Sequence, residues 1–75
     1  MEDLKSIVGQ FLRKARGGIS LLKVYAGTGI SDRRVSAIEK GKANITLKTF
    51  EKLCEFYGIK DELIEKFKQW IEERG

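Results

Sequence analysis

Apolar residues recur along the chain at steps of three and four, the spacing that places side chains on one face of an α-helix. No segment alternates apolar and polar residues for long enough to predict a β-strand. Glycines interrupt the helical pattern, and proline is absent from the 75 residues. The pattern therefore predicts an all-α fold, a bundle of five helices joined by short loops.

Hydroxyl side chains predict where the three middle helices begin, because Ser20, Ser31 and Thr46 can each accept a hydrogen bond from a free first-turn amide. Glycines at Gly17-Gly18, Gly27 to Gly29, Gly41 and Gly58 predict the breaks. The first predicted helix has Leu4, Val8, Phe11, Leu12 and Ala15 on its apolar face. The second runs from its Ser20 cap through about Ala26, and the third from its Ser31 cap to Lys40. The fourth carries Phe50, Leu53, Cys54 and Tyr57, and the fifth runs from about Asp61 to Arg74. We expect a single domain over 1–75, with its core at about 4–59 and an additional C-terminal helix at about 61–74.

The composition removes most classes of enzyme. A chain of 75 residues forms one small domain with little room for a substrate cleft. Without histidine there is no Ser-His-Asp or Cys-His catalytic pair, and one cysteine alone cannot supply the ligands of a zinc site. We therefore expect no catalytic residues, no metal and no cofactor.

The single cysteine and the absence of long apolar runs indicate the compartment. Cys54 has no partner for an internal disulfide, as is usual in a reducing cytoplasm, and its place on an apolar stripe predicts a small buried hydrophobe rather than a redox switch. There is neither an 18-residue apolar run nor a signal-type stretch at the N-terminus. We expect a soluble cytoplasmic protein with no membrane partner.

The net charge of +4 is unevenly distributed. Between Lys5 and Lys48 there are ten basic and two acidic residues, a net charge of +8. Residues 49–75 carry −2, and so do residues 1–4. A concentrated basic section indicates a polyanionic partner, although an acidic protein or a membrane surface would also fit.

The third helix has an outer face suited to reading DNA bases. If Val35 and Ile38 face the core, a rotation of 100° per residue places a polar and basic set on the opposite side. Arginine can bond two acceptors on guanine, aspartate can accept from cytosine, and alanine can touch a thymine methyl group. The alternative is an ordinary solvated face on which Asp32 only favours the helix N-terminus. The outer set is Arg33, Ser36, Ala37 and Lys40, flanked by Asp32 and Arg34.

Several short motifs follow one another in a fixed order through the centre of the chain. They are Gly29-Ile30-Ser31, Val35-Ser36-Ala37-Ile38-Glu39-Lys40-Gly41-Lys42, Asn44-Ile45-Thr46-Leu47, Lys52-Leu53 and Tyr57-Gly58-Ile59. Together they resemble the Cro and phage-repressor type of helix-turn-helix domain, a lambda-repressor-like fold, over about residues 12 to 59. The resemblance implies double-stranded DNA as a partner.

The resemblance also implies roles for individual residues. Base reading is implied for Asp32, Arg33, Ser36 and Ala37. Phosphate contacts are implied for Ser20, Lys23, Arg34, Lys40, Lys42 and Asn44, with Arg34 placed where contacts to bases also occur. Glu39 is implied to pair with Arg16 of the first helix, with Arg13 as the second candidate.

Helix two departs from the family pattern. Leu21 replaces a glutamine that contacts phosphate in the family, and Tyr25 occupies the register of a small residue that lets helix two approach helix three. Thr28 replaces the usual leucine. Either helix two is shifted by one residue, or Tyr25 points outward and contributes something new, such as a hydrogen bond to a phosphate.

The C-terminal helix adds apolar surface beyond the four helices of the minimal domain. Its stripe can cover the core, mediate self-association, or divide between the two roles, and we favour the division. The dimerisation candidates are Leu63, Phe67, Trp70 and Ile71.

Two functions of different classes fit these features. The first is a sequence-specific transcriptional regulator, most simply a repressor, that binds a palindromic operator as a homodimer through a recognition helix at about 31–40. The second is a protein-interaction module of the same fold, such as an antitoxin-like or anti-regulator subunit, and Leu21, Tyr25 and the C-terminal stripe motivate it. An enzyme would need an active-site constellation that the sequence does not contain.

Overall fold

The computed structural model describes residues 3–74, and all regular structure within that range is α-helical. This confirms the predicted all-α fold with five helices. Among the same residues, no helix has the length and apolar character needed to cross a bilayer. The helices are α1 (Leu4–Arg16), α2 (Leu21–Thr28), α3 (Asp32–Glu39), α4 (Leu47–Tyr57) and α5 (Glu62–Arg74).

Side-chain caps set the starts of four helices. The hydroxyl oxygens of Ser20, Ser31 and Thr46 each accept a hydrogen bond of 3.2 Å from the amide three residues later, as predicted. Asp3 caps α1 in the same way, with Oδ1 2.9 Å from the amide nitrogen of Ser6. These bonds satisfy amides that have no partner within the helix, so local chemistry fixes each starting point.

The five helices enclose one apolar core. At its centre, the ring of Phe50 lies 6.5 Å from that of Phe11 on α1 and 6.1 Å from that of Phe67 on α5. The rings of Phe11 and Phe67 meet edge to face at 4.9 Å. Helix α5 therefore completes the core rather than standing beside it. The buried apolar side chains are Val8, Leu12, Val24, Ile30, Val35, Ile38, Phe50, Leu53, Cys54, Ile64, Phe67 and Ile71.

Helix α2 is longer than predicted, because it runs to Thr28 instead of ending at about Ala26. Gly27 was expected to break the helix, but it lies inside α2. A Cβ at this position would collide with the ring of Phe56 on α4, so the glycine allows that ring to pack against the helix backbone. The break comes at Gly29, which takes the left-handed conformation with φ 78°.

Cys54 is buried, which confirms its assignment to the core stripe of α4. Burial raises the pKa of its thiol to about 11, because the apolar surroundings disfavour the thiolate. The thiol is therefore protonated and unreactive at neutral pH.

The free energy of unfolding is expected to fall by about 1 kcal/mol between pH 8 and pH 10. Unfolded cysteine loses its proton near its ordinary pKa of 9.0, whereas folded Cys54 holds it up to about pH 11. The unfolded state therefore binds fewer protons in this interval and gains stability as the pH rises. Urea unfolding at the two pH values measures the loss, and Cys54→Ala is expected to reduce it. An unchanged loss in Cys54→Ala would contradict the assignment.

Candidate nucleic-acid interface

The turn between α2 and α3 is held by the side chain of Thr28. Its hydroxyl donates to the carbonyl oxygen of Val24 at 2.7 Å and accepts from the amide of Ile30 at 3.1 Å. Ile30 is buried at the end of the turn. The threonine that departs from the family pattern therefore closes α2 and fixes the start of α3.

Helix α3 turns its apolar side inward and its charged side outward. Val35 and Ile38 are each 1% exposed, so the rotation of the helix about its axis is fixed by the core. Arg33 and Arg34 are exposed, whereas Ser36 and Ala37 are half-buried. The charged residues can reach a partner beyond the helix surface, and the two small residues can contact one only if it lies close against the helix.

Asp32 is exposed at the first position of α3, where its Oδ1 accepts a hydrogen bond of 2.8 Å from the amide of Arg33. A carboxylate there also favours the positive end of the helix dipole. Asp32 therefore has a structural role, and its second carboxylate oxygen has no bond to another described side chain that would stop it from accepting from a base.

The loop after α3 carries three exposed polar side chains on an ordered backbone. Lys40, Lys42 and Asn44 are all exposed. The amide of Lys42 donates to the carbonyl oxygen of Ala37 at 2.9 Å, and Gly41 takes φ 72° beside Ser6 of α1. This backbone holds the three predicted phosphate contacts in a short segment directly after the helix.

The N-terminus of α2 carries two further predicted phosphate contacts. Ser20 and Lys23 are both exposed. The Ser20 oxygen accepts from the Lys23 amide, which leaves its hydroxyl hydrogen available to a phosphate oxygen. Tyr25 is 52% exposed, so it points outward, and α2 begins at Leu21 directly after its Ser20 cap.

Arg16 and Glu39 form a bidentate ion pair, as the resemblance implies. Nε and Nη2 of Arg16 donate to the two carboxylate oxygens of Glu39 at 2.7 Å and 3.0 Å, and Nη1 donates to the carbonyl oxygen of Ile19 at 2.7 Å. The hydrogen bond to Glu39 raises the pKa of Arg16. Arg13, the second candidate, reaches Glu39 only at 4.0 Å. Arg16 therefore joins the end of α1, the following turn and the end of α3.

Tyr57 lies near this ion pair at the end of α4. Its hydroxyl is buried and has no hydrogen-bond partner among the described residues. Burial raises the pKa of Tyr57 to about 12, with a smaller contribution of the same sign from Glu39. The phenol is therefore neutral at physiological pH.

The order of these parts is that of a helix-turn-helix motif, with α2, a glycine turn and α3 in succession. A family model described as Helix-turn-helix matches residues 11–64, most of the chain. The protein belongs to the helix-turn-helix family of the Cro and phage-repressor type. This is an all-α family of DNA-binding regulators. No curated protein and no solved structure matches the chain.

Gly9 is a residue of this helix-turn-helix protein that the sequence analysis missed. It is buried in α1, where a Cβ would collide with the carbonyl oxygen of Ile38 and lie 2.9 Å from that of Glu39. Glycine therefore lets the backbone of α1 approach the C-terminal end of α3. The sequence feature that could have identified Gly9 is a glycine within the apolar stripe of a predicted helix.

The dimerisation candidates on α5 do not all lie at the surface of the helix-turn-helix domain. Phe67 and Ile71 are buried, which corrects their assignment, because their stripe faces Phe11 and Phe50 inside the core. Leu63 and Trp70 stay 44% and 41% exposed. Only these two of the four candidates can meet another molecule without opening the fold.

Proposed function

We propose that this protein is a sequence-specific transcriptional regulator, most simply a repressor, which acts in the cytoplasm as a homodimer on a palindromic operator. Residues 1–75 act as one DNA-binding domain without a cofactor or catalytic site. The observation that carries the proposal is the orientation of α3, whose Val35 and Ile38 are buried while Arg33 and Arg34 are exposed. Membership of a family of DNA-binding regulators supports it.

The proposed interface divides base reading from phosphate binding. Asp32, Arg33, Ser36 and Ala37 are the candidates for contacts to base edges in the major groove. The flanking positions neutralise the backbone and supply most of the affinity, which is why the section from residue 5 to 48 carries +8. The proposed phosphate contacts are Ser20, Lys23, Arg34, Lys40, Lys42 and Asn44.

Selection of bound sites from a random pool of duplex DNA tests this function directly. A homodimer that presents two copies of α3 in successive major grooves is expected to enrich an inverted repeat with half-sites about 34 Å apart. Enrichment of one non-palindromic site would contradict the homodimer. Recovery of no common sequence would contradict base reading.

Arg33→Ala and Lys42→Ala are expected to distinguish contacts to bases from contacts to phosphates. Arg33→Ala should weaken binding to the selected site by about 1–3 kcal/mol while leaving random DNA little affected. Lys42→Ala should weaken both and lower the slope of log affinity against log salt by about 1. Fluorescence anisotropy over a series of salt concentrations measures both quantities. Equal losses on selected and random DNA for Arg33→Ala would contradict its role.

A protein-interaction module is the second candidate function, and one observation on α2 favours it. Leu22 is 74% exposed and lies one helical turn from the outward-pointing Tyr25. Leu21, which motivated this alternative in the sequence, is half-buried against the core and offers little surface. A pull-down with wild-type protein and the double variant Leu22→Ser, Tyr25→Ser distinguishes the functions. A stoichiometric partner lost in the variant, together with no selected DNA, would favour this module.

A further inference from the structure

Exposed apolar side chains lie at the seam between α1 and α5, where Ile7 and Trp70 line one groove, and Leu63 is placed on the same side of α5 by its position two turns before Trp70. Ile7 is 37% exposed, Leu63 44% and Trp70 41%. Leu4, Ile7, Trp70 and Glu73 line a groove of about 310 Å³ on this seam. We call Ile7, Leu63 and Trp70 the seam patch.

The two helices run in opposite directions along the seam. Leu4 and Ile7, near the start of α1, meet Trp70 and Glu73 near the end of α5. Phe11, one turn later on α1, meets Phe67, one turn earlier on α5. Continuing both helices by one more turn places Lys14 of α1 at the end of the seam where Leu63 lies.

The charges around the seam patch are balanced and separated. Glu73 lies at one end and Lys14 at the other, both are exposed, and neither forms an ion pair with another described residue. Glu62 and Lys66, also exposed and of opposite sign, border the patch on α5. These four charges sum to zero, whereas the chain as a whole carries +4. Two copies can therefore approach at this surface without the repulsion that their basic sections would produce.

We propose that the seam patch binds the same patch of a second copy, with the two seams antiparallel about a two-fold axis. Such an axis reverses the direction of the seam, so it brings Lys14 of each copy to Glu73 of the other while Ile7, Leu63 and Trp70 pack between the two ion pairs. Tryptophan is among the side chains that most often dominate the binding energy of an interface. The inference rests on the homodimer of the proposed function and adds the surface that forms it.

The location of the patch keeps the proposed DNA interface free. Helix α3 packs on α1 and α2, whereas α5 packs on α4 and, through Phe67, on α1. The seam therefore involves the face of α1 that carries Ile7, while Gly9 on another side of the same helix meets α3. A dimer can form at the seam without covering Arg33 or Lys42.

Charge reversal tests the antiparallel arrangement without disturbing the core, because both charged residues are exposed. Sedimentation velocity of the full chain without DNA is expected to show a concentration-dependent dimer. Lys14→Glu and Glu73→Lys should each raise the dimer dissociation constant about tenfold, since each change creates two like-charge contacts across the axis. The double variant should return to within about threefold of wild type. Trp70→Glu should remove the dimer, and Lys52→Glu, the matched reversal of an exposed lysine on α4 outside the seam, should leave it unchanged.

The result that overturns the proposal is a folded wild-type chain, by circular dichroism, that stays monomeric at all concentrations. A dimer weakened equally by both single reversals and still further by the double variant would also overturn it. Fluorescence anisotropy with a half-site duplex distinguishes failure of the seam interface from failure of the proposed DNA-binding function. If Trp70→Glu is monomeric and binds the half-site like wild type, the seam is the interface and DNA binding stands independently. If wild type dimerises and selects no DNA, the proposed function fails and the interface remains.

Discussion

Glu39→Ala is expected to lower the free energy of unfolding by about 3–5 kcal/mol, because it leaves the Arg16 guanidinium buried without its counter-charge. The side chains of Arg16 and Glu39 are only 13% and 6% exposed, so water can replace the lost carboxylate only in part. A small domain has a total stability of about 5–15 kcal/mol, and the loss is therefore a large part of it. Urea unfolding followed by far-UV circular dichroism measures the change.

Arg13→Ala is the matched control for this prediction. Arg13 also lies within 4.0 Å of Glu39, but its side chain is 57% exposed, so its removal should cost at most about 1 kcal/mol. Replacing both buried partners, as Arg16→Met with Glu39→Met, should recover much of the loss because no unpaired charge remains. If Glu39→Ala is no more destabilised than Arg13→Ala, the pair does not hold the fold together.

The ion pair also connects the core to the proposed DNA interface. Glu39 is the last residue of α3, and Arg16 ends α1 and bonds the Ile19 carbonyl in the turn before α2. One guanidinium therefore restrains three segments around the motif. Loss of the pair should loosen the C-terminal end of α3 before the whole domain unfolds.

The fold could be predicted from the sequence because its determinants are local. The hydroxyl caps at Ser20, Ser31 and Thr46 act within three residues, and the apolar period sets the buried face of each helix. The partner of Arg16 lies 23 residues away, and only resemblance to a family identified it.

Tertiary contacts explain what could not be predicted. Gly27 has the local character of a helix breaker, but the ring of Phe56 packs on it and α2 continues to Thr28. The apolar stripe predicts which side of α5 faces the core, but it does not predict which residues at the border of that side stay exposed. Periodicity therefore could not distinguish buried Phe67 from exposed Trp70. Of the candidate site, the exposed side of α3 could be predicted, whereas its support by Gly9 depends on the distance between two backbones.

Gly9→Ala is expected to destabilise the protein by about 1–3 kcal/mol, although alanine is the better helix former. In an open helix the same change would stabilise by about 0.5–1 kcal/mol. Here the new methyl group would collide with the Ile38 carbonyl oxygen, and backbone cannot turn aside as a flexible side chain can. Either α1 moves away from α3 or the last turn of α3 shifts, and both changes loosen the packing around Val8 and Ile38. Thermal unfolding of the variant measures the loss.

Gly18→Ala separates this collision from a general effect of adding a methyl group. Gly18 has no atom within 4 Å of a Cβ at its position and does not take a positive φ, so its stability should change by less than about 0.5 kcal/mol. Equal stability of Gly9→Ala and wild type would show that α1 and α3 can separate at no cost.

If α3 shifts as expected, Gly9→Ala should also lose affinity for selected DNA at temperatures where it is fully folded. Its affinity for random DNA should change less, because the exposed Lys40 and Lys42 can still reach phosphates while the base-reading face loses its fixed position.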